Sequence, residues 1–256
     1  MSITRTVLSI AAPLPKLESF RRCLFIGPHP DDIEIGAGAL AAKLAAAGKE
    51  LCFLICTDGR YGGEHVPHLR PEELAAVRKE EALASAAALG VRDVRFLGFC
   101  DGGFYDPGEL ETAAAREIGS FGPDVIFAPD PNLESECHRD HLNVGRIAAN
   151  LACFAPYGGI MERFGAKTAE VKAVAFYFTS RPNAFVSTTG YLPRQMEALF
   201  SCHKSQFPEG SPAAASLRQY LKLRSVEFGL RAFSRTGEAY RVLDVLRMHC
   251  VSEGAK

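Results

Sequence analysis

The feature that most constrains this chain is an alternation of short apolar runs with helical patterns. Each run is the length of a buried strand, and each helical pattern is long enough to cross back over a sheet. Repeated βαβ units form a largely parallel sheet with helices on both faces. The predicted strands are Cys23–Gly27, Leu51–Cys56, Val94–Leu97, Asp124–Ala128 and Lys172–Phe178, and the predicted helices are Ile33–Ala47, Pro71–Leu89, Leu110–Phe121 and Leu142–Phe154. The pattern therefore predicts an α/β, Rossmann-like fold.

The carboxy-terminal third follows a weaker pattern. After Phe178 we predict a mostly helical cap with one strand, Ala184–Ser187, and two helices, Pro193–His203 and Ala213–Leu230. No repeat, low-complexity tract or linker divides the chain, so residues 21–256 are expected to form one domain. Residues 1–20 are interrupted by polar residues and prolines, which favours a surface leader over a cleaved signal.

The charge balance and the cysteine pattern limit which kinds of partner and which compartment to expect. The 29 basic and 30 acidic side chains nearly cancel, which gives no electrostatic reason to expect nucleic acid or an anionic membrane. No apolar stretch approaches the length of a membrane span. The eight cysteines never form Cys-x-x-Cys, which suits buried thiols in a reducing compartment. We therefore expect a cytoplasmic protein that acts on a small molecule.

A histidine and two carboxylates follow the first predicted strand, in Gly27-Pro28-His29-Pro30-Asp31-Asp32. Ligands of open α/β sheets bind at the carboxyl ends of the strands, where these residues lie. A single aspartate at this point is commonly a helix cap. Two adjacent carboxylates with a histidine exceed what capping requires, so the segment is a candidate functional site.

A second cluster, His138-Arg139-Asp140-His141, follows the strand Asp124–Ala128. At the start of a helix, two histidines three residues apart can share one face, and Asp140 can hold an imidazole in one tautomer. Alone, this cluster fits surface or capping chemistry equally well. Two such clusters at the carboxyl ends of strands in one sheet can converge, and convergence favours a metal site.

The ligand types indicate which metal and which chemistry to expect. Imidazole with carboxylate suits Zn²⁺, whereas Ca²⁺ calls for more oxygens, and iron(II) is a weaker candidate with the same ligand types. Three protein ligands with one open position describe a catalytic site. The spare carboxylate and the spare histidine match a general base and a group that stabilises an oxyanion. The residues therefore indicate a metal-dependent hydrolase.

Other motifs leave two alternatives open. Gly36-Ala37-Gly38-Ala39-Leu40-Ala41 fits a dinucleotide pattern, with Asp58 at about the distance of a ribose-binding acid. These glycines come too late after the strand, and inside a helix they would permit close approach to the sheet. An NAD-type oxidoreductase and a non-catalytic metal-binding or sugar-binding module remain alternatives. Serine-hydrolase and Walker motifs are absent, and Cys137 is a weaker candidate nucleophile or ligand.

Taken together, these motifs resemble the LmbE-like or PIG-L family of zinc-dependent N-deacetylases. The resemblance runs from about Cys23 to Leu243, and within the family it is strongest to archaeal diacetylchitobiose (N-acetylglucosamine) deacetylases. The segments that carry it are Pro28-His29-Pro30-Asp31-Asp32, Thr57-Asp58-Gly59, Arg78-Lys79-Glu80-Glu81, Phe127-Ala128-Pro129-Asp130-Pro131, His138-Arg139-Asp140-His141, Arg181-Pro182-Asn183 and His203-Lys204-Ser205-Gln206-Phe207-Pro208.

The resemblance implies a role for each matching residue. The implied zinc ligands, for one ion per chain, are His29, Asp32 and His141. The implied catalytic residues are Asp31 as general base, His138 as the group that stabilises the tetrahedral intermediate, and Asp140 as the residue that orients a histidine. Arg78 and Asp101 align with sugar-contacting positions. The acid that usually follows the two aspartates is displaced to Glu34, which leaves its role open.

The resemblance also implies a reaction and an assembly. The chain is expected to hydrolyse the acetamide of an N-acetylated amino sugar, of the N-acetylglucosamine or chitobiose type, to acetate and a free amine. A homotrimer or homohexamer is expected from relatives. The natural N-acetyl compound is not determined by these residues.

Overall fold

The computed structural model describes residues 3–251. The helices and strands, in chain order, are α1 (Ile3–Ala11), β1 (Arg22–Gly27), α2 (Asp32–Ala46), β2 (Glu50–Thr57), α3 (Pro71–Leu89), β3 (Asp93–Phe99), α4 (Pro107–Phe121), β4 (Val125–Pro129), α5 (Arg139–Phe154), α6 (Gly158–Met161), β5 (Ala173–Tyr177), β6 (Ala184–Ser187), α7 (Leu192–Glu197), α8 (Pro212–Arg231) and β7 (Gly237–Asp244). Short 3₁₀ turns occupy Leu17–Ser19 and Glu162–Phe164, and a π-turn, Ala198–Cys202, follows α7.

A seven-stranded sheet with the order β3-β2-β1-β4-β5-β7-β6 forms the centre of the molecule. The strands β1 to β5 are mutually parallel, and β7 runs antiparallel to both of its neighbours. The predicted α/β fold with a mostly parallel sheet is confirmed. Because β1 and β4 are neighbours, the loops that leave their carboxyl ends emerge side by side.

The core consists of two apolar layers, one on each face of the sheet. Alternate side chains of a strand point to opposite faces, so Phe25 of β1 packs toward α2 and α3, while Leu24 and Ile26 pack toward α4 and α5. On the first face, the rings of Phe25 and Phe127 stack with their centroids 4.3 Å apart. Helices on both faces bury the strands and fix the sheet edge that carries the site.

The glycines inside α2 permit the close approach that the sequence predicted. A Cβ atom on Gly36 would lie 2.3 Å from the ring of Tyr177, and the hydroxyl of Tyr177 donates to the carbonyl of Ile26 at 2.8 Å. Close approach to the sheet is thus confirmed for Gly36, whereas a Cβ atom on Gly38 would lie 2.9 Å from Gln195 of α7.

One strand in the carboxy-terminal part was not predicted. The segment Gly237–Asp244 enters the sheet between β5 and β6, whereas the sequence pattern suggested only a mostly helical cap. Its Glu238 carboxylate accepts hydrogen bonds from the backbone N–H groups of Ala39 and Leu40 in α2. The strand therefore links the carboxy-terminal part to the helix that begins at the site.

The amino-terminal segment divides into two parts. Helix α1 leaves Ile3, Val7 and Ile10 exposed, whereas Leu17 and Phe20 are buried in the core layer on the α2 side of the sheet. The last residues of the predicted leader thus contribute to the packed domain. Residues 1–2 of that leader and 252–256 of the predicted domain lie outside the described residues. Within residues 3–251, none of the helices has the length and apolarity that crossing a bilayer requires.

Candidate metal centre

Two connections at the carboxyl edge of the sheet position the candidate site. His29 and Asp31 lie in the turn between β1 and α2, whose first residue is Asp32. His138 caps the amino end of α5, and Asp140 and His141 lie in its first turn. The structure therefore brings together the two clusters that the sequence separates by about a hundred residues.

The predicted metal ligands share one carboxylate oxygen. Oδ2 of Asp32 lies 2.9 Å from Nδ1 of His29 and 3.3 Å from Nε2 of His141. Ligands at about 2.0–2.1 Å from a tetrahedral ion are separated by roughly 3.3 Å. Both separations from Asp32 are close to this spacing, and all three donor atoms lie within 4.8 Å of one another, so the residues fit a divalent cation.

A second arrangement is also possible on geometry alone. Among residues 3–251, two groups of three histidine or acidic side chains place their donor atoms within 4.8 Å, and both include His29. The second group uses His138 and Asp140, but His138 is exposed, and its Nδ1 accepts the backbone N–H of Asp140 at 3.3 Å. The first group is more buried and has both imidazole nitrogens directed at one oxygen, so it is the better candidate for a cation. Neither group contains Cys137, which is exposed.

Protons bind strongly in this cluster. Burial lowers the pKa of His29, but hydrogen bonds to Asp140 and Asp32 outweigh burial and raise that pKa to about 10. Burial opposes ionisation of Asp32, yet the nearby imidazoles of His141 and His29 hold its pKa well below the ordinary value. Burial also lowers the pKa of His141, but the charge of Asp32 outweighs burial and raises that pKa. A metal ion that binds here must therefore compete with protons for the histidines.

Asp140 holds His29 through the ring nitrogen that faces away from Asp32. Its Oδ2 atom lies 3.0 Å from Nε2 of His29 and accepts the backbone N–H of Gly102 at 2.7 Å. Burial raises the pKa of Asp140, but the hydrogen bonds from His29 and Gly102 prevail and lower it. With Nε2 of His29 held by this carboxylate, Nδ1 is the nitrogen that faces Asp32, in the usual carboxylate–histidine–metal order.

Asp31 occupies the N-cap position of α2 but caps nothing with its side chain. Its Oδ2 atom instead accepts a hydrogen bond from Nη2 of Arg78 at 3.2 Å. Arg78 is buried, and its Nη1 donates to the carbonyl of Gly59 at 3.0 Å. The side chain of Asp31 therefore forms no capping hydrogen bond and is held instead by the buried guanidinium of Arg78.

The glycine-rich loop after β2, which contains Gly59 and Gly62, packs directly against the side chain of Arg78. A Cβ atom on Gly59, whose φ is +65°, would lie 2.3 Å from Nη1 of Arg78, and one on Gly62 would lie 2.8 Å from the same atom. The predicted sugar-contacting residue Asp101 holds the loop from the other side, where its carboxylate accepts the backbone N–H of Tyr61 at 3.2 Å. Arg78 and Asp101 thus make internal contacts that hold the glycine-rich loop in place.

His138 faces the cluster with a neutral imidazole. Burial, followed by the positive charge of His29, lowers the pKa of His138. Because Nδ1 accepts the N–H of Asp140, the proton of the neutral ring resides on Nε2. The ring lies edge-on to that of His29, with centroids 4.7 Å apart. His138 is thereby arranged as a hydrogen-bond donor.

Glu136 is a site residue that the sequence analysis did not single out. Its Oε2 atom lies 3.0 Å from Nδ1 of His141, although the ring N–H is not aligned with that oxygen closely enough for a hydrogen bond. Each candidate histidine ligand thus has a carboxylate beside the ring nitrogen that does not face Asp32. The available signal was an acid in the loop that precedes α5, and that signal is weak because the loop contains two glutamates.

A second buried histidine–acid cluster lies next to the site and explains the displaced glutamate. Oε1 of Glu34 accepts the hydroxyl of Ser85 at 2.6 Å and lies 3.4 Å from Nε2 of His203. Burial lowers the pKa of His203, but the hydrogen bond with Glu34 outweighs it and raises that pKa. We call Glu34, Ser85 and His203 the closed cluster.

This chain is similar to known deacetylases. The sequence profile described as PIG-L, GlcNAc-PI de-N-acetylase, matches residues 24–152, which include the proposed ligands. A diacetylchitobiose deacetylase of Thermococcus kodakarensis is 31% identical over 235 residues, which cover 90% of this chain and 85% of the relative. A 1D-myo-inositol 2-acetamido-2-deoxy-alpha-D-glucopyranoside deacetylase of Kineococcus radiotolerans is 41% identical over 127 residues, 47% of this chain and 35% of the relative.

A solved structure shares the whole architecture. The N,N'-diacetylchitobiose deacetylase of Pyrococcus horikoshii, solved in complex with the inhibitor MPG, superposes with a TM-score of 0.86 at 27% identity. The superposition covers 98% of this chain and 97% of that enzyme. The complete fold is thus that of a known deacetylase.

Proposed function

Since this chain belongs to the GlcNAc-PI de-N-acetylase (PIG-L) family, we propose that it removes the acetyl group from an N-acetylated amino sugar with the aid of one bound Zn²⁺. Its relatives are named deacetylases, and the chain is an amide hydrolase. The proposed substrate carries an N-acetylglucosamine unit, alone or within a chitobiose-type sugar. The products are acetate and the free amine.

The proposal rests on one observation. His29, Asp32 and His141 converge, while the adjacent carboxylate of Asp31 is bonded to a different residue. Asp32 lies between the two imidazoles, while Asp31 is held apart by Arg78. A hydrolytic site needs both a ligand set and a separate base, and adjacent aspartates with different partners supply both.

When bound, a divalent ion polarises the acetyl carbonyl and lowers the pKa of water. Asp31 accepts the proton of the attacking water and later donates it to the departing amine, so one carboxylate serves as base and then as acid. The Nε2–H of His138 donates a hydrogen bond to the oxyanion of the tetrahedral intermediate. Asp140 keeps His29 in the tautomer that leaves Nδ1 available.

Zinc is the proposed metal because of the donor set. Two imidazoles and one carboxylate match the three protein ligands of many catalytic zinc sites. The ligand types alone do not distinguish zinc from iron(II), so metal identity is part of the test. Arg78 and Asp101, as the residues that shape the glycine-rich loop, are proposed to position the sugar.

The test combines metal analysis with an assay of acetate release. We expect the purified chain to hold about one zinc ion per chain and to release acetate from N-acetylglucosamine or N,N'-diacetylchitobiose. Chelation should abolish release, and added Zn²⁺ should restore it. Iron(II) can be compared under anaerobic conditions in the same assay.

Two results would contradict the proposal. Zinc retention without acetate from any N-acetyl amino sugar in a broad panel would indicate a binding module. Activity that persists unchanged after the metal has been removed, with removal verified by elemental analysis, would exclude the metal-dependent route.

A further inference from the structure

The outer face of α8 carries a row of exposed apolar side chains. Leu223, Val226 and Leu230 are 73%, 51% and 73% exposed, and Phe233, two residues after the helix, is fully exposed. Phe233 also has a φ of +52°, a left-handed conformation that is rare for a bulky side chain. A single exposed leucine is ordinary, but a contiguous apolar patch commonly marks a site of interaction. None of the roles assigned above uses these four residues, which we call the α8 seam.

The opposite face of α8 already fixes the helix to its own domain. Leu221, Ser225 and Phe228 are buried there, and the centroid of the Phe228 ring lies 6.0 Å from that of Phe185 in β6. A helix that packs on one domain needs a single apolar stripe, with polar residues on its outer face. The α8 seam is therefore a second stripe, which the fold of a single copy does not require.

The spacing of the α8 seam indicates what kind of surface covers it. Its residues follow one another by three, four and three positions, which are the a and d positions of a heptad repeat and form the contact between two helices packed side by side. A helix that lies on a lipid surface instead has a broad apolar face and a polar face rich in lysine and arginine. The seam is one row wide, and an acidic residue, Glu227, borders it. These features favour a helix as the occupant.

Two oppositely charged residues border the seam and indicate which helix fits it. Lys222 and Glu227 occupy the g and e positions of the repeat, on opposite sides of the row, so they do not face each other within α8. Among residues 3–251, neither side chain forms an ion pair. In a parallel pair of helices, a g residue faces the e residue five positions later in the other helix. Lys222 and Glu227 are five positions apart, so α8 is complementary to another copy of itself.

We propose that the α8 seam binds a second copy of this chain, with the two α8 helices side by side and parallel. Lys222 of each copy then meets Glu227 of the other, and the two ion pairs flank the shared apolar row. An antiparallel pair would bring g to g and e to e, so the opposite charges would not meet. The same patch on both copies forms a closed, two-fold interface. This contact is independent of the chemistry at the metal centre.

Charge reversal tests the pairing directly. In Lys222→Glu two glutamates face each other at each flank of the interface, and in Glu227→Lys two lysines do. Like charges placed opposite each other oppose association, so each variant should raise the Kd of self-association by roughly 10- to 100-fold. The double variant K222E/E227K restores opposite charges and should associate as the parent does. A mixture of the two single variants should form mixed pairs, because the glutamates of one then face the lysines of the other.

Sedimentation equilibrium of the full chain over a range of concentrations measures the assembly mass of each protein. At concentrations that keep the parent assembled, each single variant should have half of the parent's mass, and the double variant and the mixture should recover it. Glu80→Lys is the matched control, because it reverses an exposed glutamate on α3, outside the seam. It should associate as the parent does.

Three other results would overturn the proposal. A parent with the mass of one chain at every concentration has no such interface, and if it also cosediments with phosphatidylglycerol vesicles, the seam binds a lipid surface instead. A parent whose mass is unaffected by both reversals assembles through another surface. A double variant that associates no better than the single variants would show that the two charges do not pair between parallel helices.

Discussion

Two buried histidine–acid clusters begin from the same helix, yet they have different chemical capacities. The open cluster, His29, Asp32 and His141, places two imidazoles from distant segments on one carboxylate oxygen beside a groove. In the closed cluster, the carboxylate of Glu34 meets one imidazole and a serine hydroxyl, and the side chains of Glu34 and His203 are 3% and 0% exposed. Burial and residue type are similar in both. The number of converging donors and the adjoining groove distinguish a candidate metal site from a structural hydrogen-bond network.

The largest expected effect separates ligand from base within the open cluster. Asp31→Asn should lower kcat by about 100- to 10,000-fold, the usual contribution of a general base, while zinc content stays at the parent level. Asp32→Asn is the matched control and should lose the metal. Acetate release and elemental analysis on both proteins measure the two effects. A fully active Asp31→Asn protein would mean that another group takes the proton.

The second prediction concerns the carboxylates behind the ligands. Glu136→Gln should weaken zinc binding by roughly 10- to 100-fold, since it removes the negative charge beside Nδ1 of His141. Glu134→Gln, in the same loop but paired with Arg181 at the surface, should bind zinc as the parent does. Competition with a chromophoric chelator gives both affinities. Equal affinities for the two variants would show that Glu136 does not act on the metal through His141.

The third prediction tests the closed cluster. Ser85→Ala removes the hydroxyl that donates to Glu34, and a buried acceptor that loses its donor costs about 1–3 kcal/mol of unfolding free energy. Zinc content should remain unchanged, because none of the assigned ligands is touched. Denaturant unfolding measures the first effect and elemental analysis the second, with Ser216→Ala on the exposed part of α8 as control. Loss of zinc without loss of stability would reverse the roles of the two clusters.

The smallest expected effect concerns Glu238, a buried acid that contacts the backbone of α2. Burial raises the pKa of Glu238 to about 7, against the hydrogen bonds it accepts from Tyr240, Ala39 and Leu40. A carboxyl whose pKa is higher in the folded than in the unfolded chain binds more protons when folded, so its contribution to stability is lost as the pH rises through the folded value. Between about pH 6 and about pH 8 the loss should be about 1 kcal/mol.

Glu238→Gln does not titrate and isolates this effect from the rest of the chain. The difference in unfolding free energy between parent and variant should shift by about 1 kcal/mol in favour of the variant across the same pH interval. Chemical denaturation at several pH values measures it. A difference that stays constant with pH would show that Glu238 remains ionised in the folded protein.

Local sequence signals were sufficient for the strand–helix alternation and for the two clusters at strand ends. Helix α3 was predicted with the bounds that the structure has, because Pro71 starts it and Gly90, at a φ of +87°, ends it. Helix α5 begins three residues earlier than predicted, since His138 rather than a later residue is its cap. The position of His29 and Asp32 after β1 was visible in the sequence because strand, turn and helix start are adjacent in the chain.

By itself, then, the sequence determined the α/β class and which residues stand where each strand ends, since these depend on periodicity and on neighbours within a few positions. Only the tertiary structure decided that Gly237–Asp244 is a strand between β5 and β6, that Arg78 holds Asp31, and that Glu136 stands behind His141. Each of these depends on the spatial order of elements far apart in sequence. That order is set by the packing of whole faces against one another, for which no single segment carries a local signal.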